Sequence, residues 1–191
     1  MNILWDFDGT LFDTYPAYSK RLHDVLVGKA SQEEAYTQLK ISASHALNFF
    51  DLSNEERKTY DDLTKQISPD EMVPFNGVEA VLKSANKNVI MTHKDQKSAL
   101  EILDFHGFTD YFTEIVTIDH GFPRKPDPAS YQYLHERHHI DLAIGDRELD
   151  IIPAKKLGIA TCLFQNDSQL ADYHLENYHD FFRVFKNGLP R

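Results

Sequence analysis

The chain has a single cysteine, Cys162, so an internal disulfide cannot form and a reducing compartment is the expected setting. Basic residues are scarce: 20 Lys and Arg stand against 30 Asp and Glu, a formal net charge of -10. That balance argues against a nucleic-acid partner, because holding a phosphate backbone takes clustered lysine and arginine. A small anionic substrate is still allowed, since it needs only a local pocket of donors and a cation. No apolar window approaches the length of a membrane span. Asp6 and Asp8 interrupt the one early hydrophobic stretch, which weighs against a secretory signal. Internal repeats and low-complexity tracts are missing too. The expectation is a cytoplasmic protein with no membrane partner; its oligomeric state is not readable.

What the chain does have is core material. Hydrophobic residues make up 41% and aromatics 12% of 191 residues, enough for one full domain or a domain with a small accessory unit. Short apolar runs recur at Ile3-Leu4-Trp5, Val89-Ile90-Met91, Ile115-Val116-Thr117-Ile118, Leu142-Ala143-Ile144 and Ala160-Thr161-Cys162-Leu163-Phe164. Each is continuous rather than alternating, as for strands covered on both faces. Helix-like segments separate the last four, at 95–106, 128–138 and 149–157, and Gly107 and Gly158 stand where two of them should stop. Strand and helix in regular order predict a parallel, Rossmann-like α/β sheet.

Residues 15–76 break that order. Tyr15, Tyr18, Leu22, Val25 and Leu26 recur at helical spacing, and Gly28 closes the run. Ser31 with Glu34 and Ser53 with Glu56 both fit the Ser-x-x-Glu capping box that opens a helix. Tyr60, Leu63 and Ile67 give the later helix an apolar face. The expected organisation is an α/β core from residues 1–14 and 77–191, with an all-helical domain at 15–76 inserted after the first strand. Ser68-Pro69 and Val73-Pro74-Phe75-Asn76-Gly77 read as the return linker.

Ligands in open α/β sheets gather at the carboxyl ends of the strands. Reading the residues after each strand therefore assembles a candidate site. The first strand delivers Asp6 and Asp8, the second Thr92, the loop after the third Lys125, and the fourth Asp146 with Asp150. Carboxylates converging on one spot repel one another unless a cation is present. Mg²⁺ is the natural choice, because it prefers oxygen ligands and keeps room for water and phosphate. Asp6 and Asp146 are the expected direct ligands, Asp150 binds directly or through water, and the Asp8 carbonyl is a further ligand. Asp6 is also the candidate nucleophile, forming an aspartyl-phosphate, and Asp8 the candidate general acid and base. Thr92 would hydrogen-bond a phosphoryl oxygen and Lys125 would supply positive charge. Gly9 would turn the chain and bring backbone N–H groups to the phosphate, while Thr10 would orient Asp8.

These residues sit in recognisable motifs. Asp6-Phe7-Asp8-Gly9-Thr10-Leu11-Phe12-Asp13 resembles the first motif of the haloacid dehalogenase superfamily, and Val89-Ile90-Met91-Thr92-His93-Lys94 resembles the second. Arg124-Lys125-Pro126-Asp127-Pro128 is similar to the lysine motif of its phosphoglycolate-phosphatase-like branch. Ile144-Gly145-Asp146-Arg147-Glu148-Leu149-Asp150 is similar to its acidic motif. The four stand in family order, and the helical insertion falls where this branch carries its cap. The resemblance implies a mobile helical cap and Mg²⁺-dependent hydrolysis of a small phosphorylated metabolite. It makes Gly9, Thr10, Thr92, His93 and Lys40 candidate substrate contacts. For Lys40 the ground is that relatives place a specificity loop at Lys40-Ile41-Ser42-Ala43-Ser44-His45, between two cap helices.

Each feature also has an ordinary reading. Asp-x-Asp-Gly fits a plain turn, Thr92 a helix N-cap before Asp95, Lys125 a solvated lysine, and Asp150 a first-turn acid favoured by the helix dipole. His135-Glu136-Arg137-His138-His139 spells the His-Glu-x-x-His zinc pattern, but its place on the helix before the Asp146 strand reads as a solvated face. Cys162, inside an apolar strand, reads as core. Among functions, a mutase similar to β-phosphoglucomutase keeps the same chemistry, yet such enzymes carry Glu-Asp where this chain has Gly145-Asp146. Dehalogenases and phosphonate hydrolases lack the second aspartate, so Asp8 counts against both. A binding module would have no use for Asp6, Asp8, Lys125 and Asp146 together.

Overall fold

Strands buried on both faces need apolar residues at every position. In the computed structural model Ile3, Leu4 and Trp5 meet that condition, fully buried in β1 (Asn2–Trp5). The structure describes residues 1–186, Gly188 and Leu189. After β1 come β2 (Phe12–Asp13), β3 (Val73–Pro74), β4 (Lys87–Met91) and β5 (Glu114–Val116). The rest are β6 (Leu142–Gly145), β7 (Ala160–Phe164) and β8 (Tyr173–Leu175). The helices are α1 (Tyr15–Leu26), α2 (Gln32–Ile41), α3 (Ala43–Phe49), α4 (Asn54–Thr64) and α5 (Val78–Ser84). They continue as α6 (Gln96–Phe105), α7 (Ala129–His138), α8 (Glu148–Lys156) and α9 (Phe181–Val184). Among the described residues no helix is long and apolar enough to cross a membrane.

The chain divides into two compact units. One combines Met1–Phe12 with the chain from Pro74 onward, and the other is Asp13–Val73. The first holds a six-stranded sheet in the order β5-β4-β1-β6-β7-β8, every neighbouring pair parallel. Leu4 stands between Val89 of β4 and Ala143 of β6, so β1 is an interior strand. Leu4, Val89, Met91, Val116 and Ala143 form one core with Tyr131 and Leu134 of α7 and Ala154 of α8. Strand order reverses at β1, the topology that opens a crevice at the strands' carboxyl ends.

The third strand is shorter than its apolar run. Ile115-Val116-Thr117-Ile118 was expected throughout, but β5 ends at Val116 and a 3₁₀ turn follows at Ile118–His120. The His120 ring accepts the Thr117 N–H at 3.1 Å, which pulls Thr117 out of the ladder. Among the described residues α3, α5, α9, the two-residue strands β2 and β3, and the sheet's edge strand β8 carry no clear sequence signal, and Val73-Pro74, read as linker, is β3.

The second unit is α1 to α4 around Tyr15, Leu22, Val25, Leu26, Ala35, Leu39, Ala46, Leu52 and Tyr60. Both capping boxes form: Ser31 and Ser53 accept from the backbones of Glu34 and Glu56, whose carboxylates return the bond. α1 ends with Val27 and Gly28 both at positive φ. The expected specificity loop at 40–45 is not a loop. Lys40 and Ile41 finish α2, and Ala43, Ser44 and His45 begin α3. Ser42 alone separates the helices, because one residue serves both caps. Its N–H donates to Gln38 and its hydroxyl accepts from the His45 N–H at 2.9 Å.

Candidate active site

β1, β4 and β6 are adjacent, and the residues after them are Asp6, Thr92 and Asp146. Backbone bonds from Asp6 N–H to Ile144 and from Thr92 N–H to Val116 extend the ladder through these positions. All three side chains are buried. Gly9, at φ +78°, then turns the chain sharply. The turn closes on itself: Gly9 N–H donates to Phe12 at 2.8 Å, and the Leu11 and Phe12 N–H groups both donate to Phe7. The Gly9 amide is therefore used within the turn itself. Thr10 departs from its expected role, since its hydroxyl donates to Asp6 Oδ2 at 3.4 Å and so orients Asp6 rather than Asp8.

Asp8 lies at the rim, its side chain 24% exposed, with Lys94 Nζ 3.2 Å from Oδ1. The Lys94 side chain is only 6% exposed, and its Nζ is 5.5 Å from the centre of the Phe7 ring. Tyr178 supports the turn from below. Its hydroxyl donates to the Thr10 carbonyl at 2.8 Å, and its ring stacks on Phe164 with centroids 4.3 Å apart.

Lys125 arrives from the loop after β5 and is buried among the carboxylates. Its Nζ donates to Asp6 Oδ1 at 2.6 Å and to Asp150 Oδ1 at 2.8 Å. Burial opposes its charge, but Asp150 and Asp6 hold the ammonium pKa well above the usual lysine range. Its backbone N–H donates to His93 Nε2 at 3.1 Å, so His93 braces the lysine loop through that nitrogen. Burial, then the charges of Lys125 and Arg124, lower His93 to about 4, which keeps the ring neutral at pH 7.

Asp150 belongs to the first turn of α8, where its Oδ2 accepts the Arg147 N–H at 3.0 Å. The capping role and the place in the cluster are thus combined. Gly145 makes the approach possible: a Cβ there would lie 2.2 Å from Asp150 Cβ and 2.9 Å from its Cγ. Burial pushes Asp6 up to about 6, aided by repulsion from Asp150 and resisted by Lys125 and Arg147. Burial would raise Asp150 as well, but Lys125 and Arg147 hold it below the usual carboxylate range.

Carboxylate oxygens of Asp6, Asp146 and Asp150 all lie within 4.8 Å of one another. Three buried, hard oxygen donors on separate elements suit a small divalent cation. Among the described residues this is the group of three acidic, histidine or cysteine side chains able to hold a metal. The His-Glu-x-x-His segment is not such a group, because α7 stops at His138 and His139 turns to φ +52°. His138 bonds Glu114 instead. Thr92 is not the N-cap of α6; Asp95 is, accepting from the Ser98 N–H, while Thr92 Oγ1 accepts from the Lys94 N–H. Cys162 is buried, and burial pushes its thiol pKa up.

Lys40 belongs to the helical unit, where its Nζ stands 5.1 Å from the centre of the Tyr15 ring. Four further groups touch the site and were not read from the sequence: Lys94, Arg147, Asn166 and Tyr178. Asn166 follows β7 and donates to the Asp146 carbonyl at 2.9 Å. Continuing the strand-end reading to the fifth predicted strand would have found it.

The model of the haloacid dehalogenase-like hydrolases matches residues 3–164. The phosphoglycolate phosphatase of Vibrio parahaemolyticus is 28% identical over 192 residues, spanning 83% of this chain and 81% of its own. A hydrolase from Streptococcus pneumoniae is 30% identical with a TM-score of 0.66, covering 86% of this chain and 92% of that one. A hydrolase of the same superfamily from Geobacter sulfurreducens shares the fold at 17% identity, with a TM-score of 0.72 over 96% and 95% of the two chains.

Proposed function

The chain belongs to the haloacid dehalogenase-like hydrolases, and from that premise we propose that it is a phosphoglycolate-phosphatase-like, Mg²⁺-dependent phosphatase of small phosphate monoesters. The observation that carries this reading is Asp6, a buried strand-end carboxylate bonded to Lys125 on one oxygen and Thr10 on the other. Asp6, Asp146 and Asp150 would hold the Mg²⁺, with the Asp8 carbonyl as a further ligand. When bound, the ion supplies positive charge that neutralises the phosphoryl oxygens.

In the proposed reaction an oxygen of Asp6 forms a bond to phosphorus as the ester oxygen leaves, giving an aspartyl-phosphate that water then opens. Asp8 protonates the departing alcohol and afterwards takes a proton from that water. Its partner Lys94 must first yield the carboxylate, so the ion pair at 3.2 Å belongs to a resting arrangement. Lys125 holds Asp6 ionised and in position. The Thr92 hydroxyl accepts from Lys94 N–H and keeps its own proton to donate to a phosphoryl oxygen. His93 and Lys40 are the proposed side-chain contacts to the rest of the substrate, a small phosphorylated metabolite.

A sugar-phosphate mutase is the competing reading. Gly145 speaks against it, because a Cβ at that position would lie 2.2 Å from Asp150 Cβ, leaving no room for the glutamate expected there. The test is phosphate release from p-nitrophenyl phosphate. Release should need Mg²⁺ and vanish in Asp6→Asn; full activity in that variant, or with the metal chelated, would sink the mechanism. A panel including phosphoglycolate and hexose phosphates would name the substrate, and sugar-phosphate interconversion without release would indicate the mutase.

A further inference from the structure

Three carboxylates meet at the site, and two cations of the chain meet them. Lys125 bonds Asp6 and Asp150. The guanidinium of Arg147 lies alongside the other pair, its Nε 3.7 Å from Asp146 Oδ1 and 3.6 Å from Asp150 Oδ2. Lys125 is sealed in, with its side chain 2% exposed, whereas the Arg147 side chain is 23% exposed. The arginine backbone is fixed independently: its N–H binds Asp150 Oδ2 and its carbonyl accepts the Asp150 N–H. The start of α8 is therefore capped through the arginine backbone rather than its guanidinium.

We infer that Arg147 is a built-in competitor for the metal position. Its charge stabilises the acidic triad when no cation is bound and weakens the triad's hold on Mg²⁺. Without a metal, three carboxylates and the two cations leave one net negative charge; removing Arg147 leaves two. A divalent ion entering the triad gains attraction from the carboxylates but meets repulsion from a guanidinium a few ångströms away, in a partly desolvated setting where such terms are strong. The guanidinium carries a permanent charge, so proton loss cannot relieve the competition. This inference rests on the proposed metal site and concerns how tightly that site is held.

The test is Mg²⁺ binding by isothermal titration calorimetry, with thermal melts in the presence and absence of Mg²⁺. The probes are the intact chain and the variants R147Q, R147M and R147K. The two neutral variants should bind Mg²⁺ about tenfold more tightly, melt lower without metal and gain more from its addition. R147K, which keeps the charge, should stay near wild type. Neutral variants with unchanged or weaker affinity would overturn the inference, as would R147K binding as tightly as R147Q. If neither neutral variant folds without metal, folding in Mg²⁺ supports the charge role and failure in both conditions refutes it. Absence of Mg²⁺ binding by the wild type would instead remove the metal reading beneath it, a failure that none of the variant comparisons can imitate.

Discussion

Lys125 Nζ donates to Asp6 Oδ1 across 2.6 Å, joining two side chains that are both nearly excluded from solvent. Taking one partner from such a pair leaves the other charge buried and uncompensated. Lys125→Met should therefore destabilise the metal-free protein by about 3–5 kcal/mol in denaturant unfolding. Turnover should fall by about 10² or more, because positive charge near the transferring group is lost. Unchanged stability together with unchanged turnover would show that the pair matters to neither.

Gly145→Ala tests the close approach beneath Asp150. Its added methyl would meet Asp150 Cβ at 2.2 Å, so strand β6 or helix α8 must shift. The expected cost is about 1–3 kcal/mol of stability. Because the shift displaces Asp150, Mg²⁺ affinity should fall with it, and calorimetry reads that change directly. A variant that loses stability yet binds metal normally would separate Asp150 from the metal.

Tyr178→Phe removes one hydroxyl. The Thr10 carbonyl loses a 2.8 Å bond in a buried place, a loss worth about 1–3 kcal/mol. Thr10 also bonds Asp6, so loosening the turn should lower kcat more than it raises KM. Steady-state kinetics with a melt on the same preparation would separate the two effects.

Glu114 sets an acid limb for stability. Burial alone would raise its pKa, but hydrogen bonds from His138, Arg137 and Tyr133 hold it down to about 2, against an ordinary 4.5. A depressed carboxylate adds stability above its unfolded pKa and loses it as pH falls through the folded one. The advantage of wild type over Glu114→Gln should thus be full above about pH 5 and fade between about 4.5 and 2, with a size of roughly 1–2 kcal/mol after solvent screening. Urea unfolding of both proteins from pH 2 to 7 would check it; a gap that does not change with pH would contradict it.

The sheet was legible where strands are covered on both faces, because Ile3-Leu4-Trp5 and Leu142-Ala143-Ile144 leave no polar alternation to misread. β8 escaped notice for the opposite reason: Tyr173 and His174 are only half-buried at the sheet edge, and three residues give no period. Capping boxes marked α2 and α4 because their chemistry is local. Ser42 could not be read as a shared cap, since a single serine gives no sign that helices abut on both sides. At the site, strand ends and motifs single out Asp6, Lys125, Asp146 and Asp150, and their side chains do meet. Which oxygen bonds which donor was beyond the sequence: that Thr10 serves Asp6, and Lys94 serves Asp8, depends on the path of a turn.

The position of β1 inside the sheet has a consequence for synthesis on the ribosome. Ile3 is translated before both of its neighbours across the ladder, Asn88 and Leu142. At about 5–20 residues per second, roughly 7 to 28 s pass between making Ile3 and making Leu142. Throughout that interval a segment built for burial on every side waits with at least one flank unpaired, a natural client for a chaperone that grips nascent apolar chain.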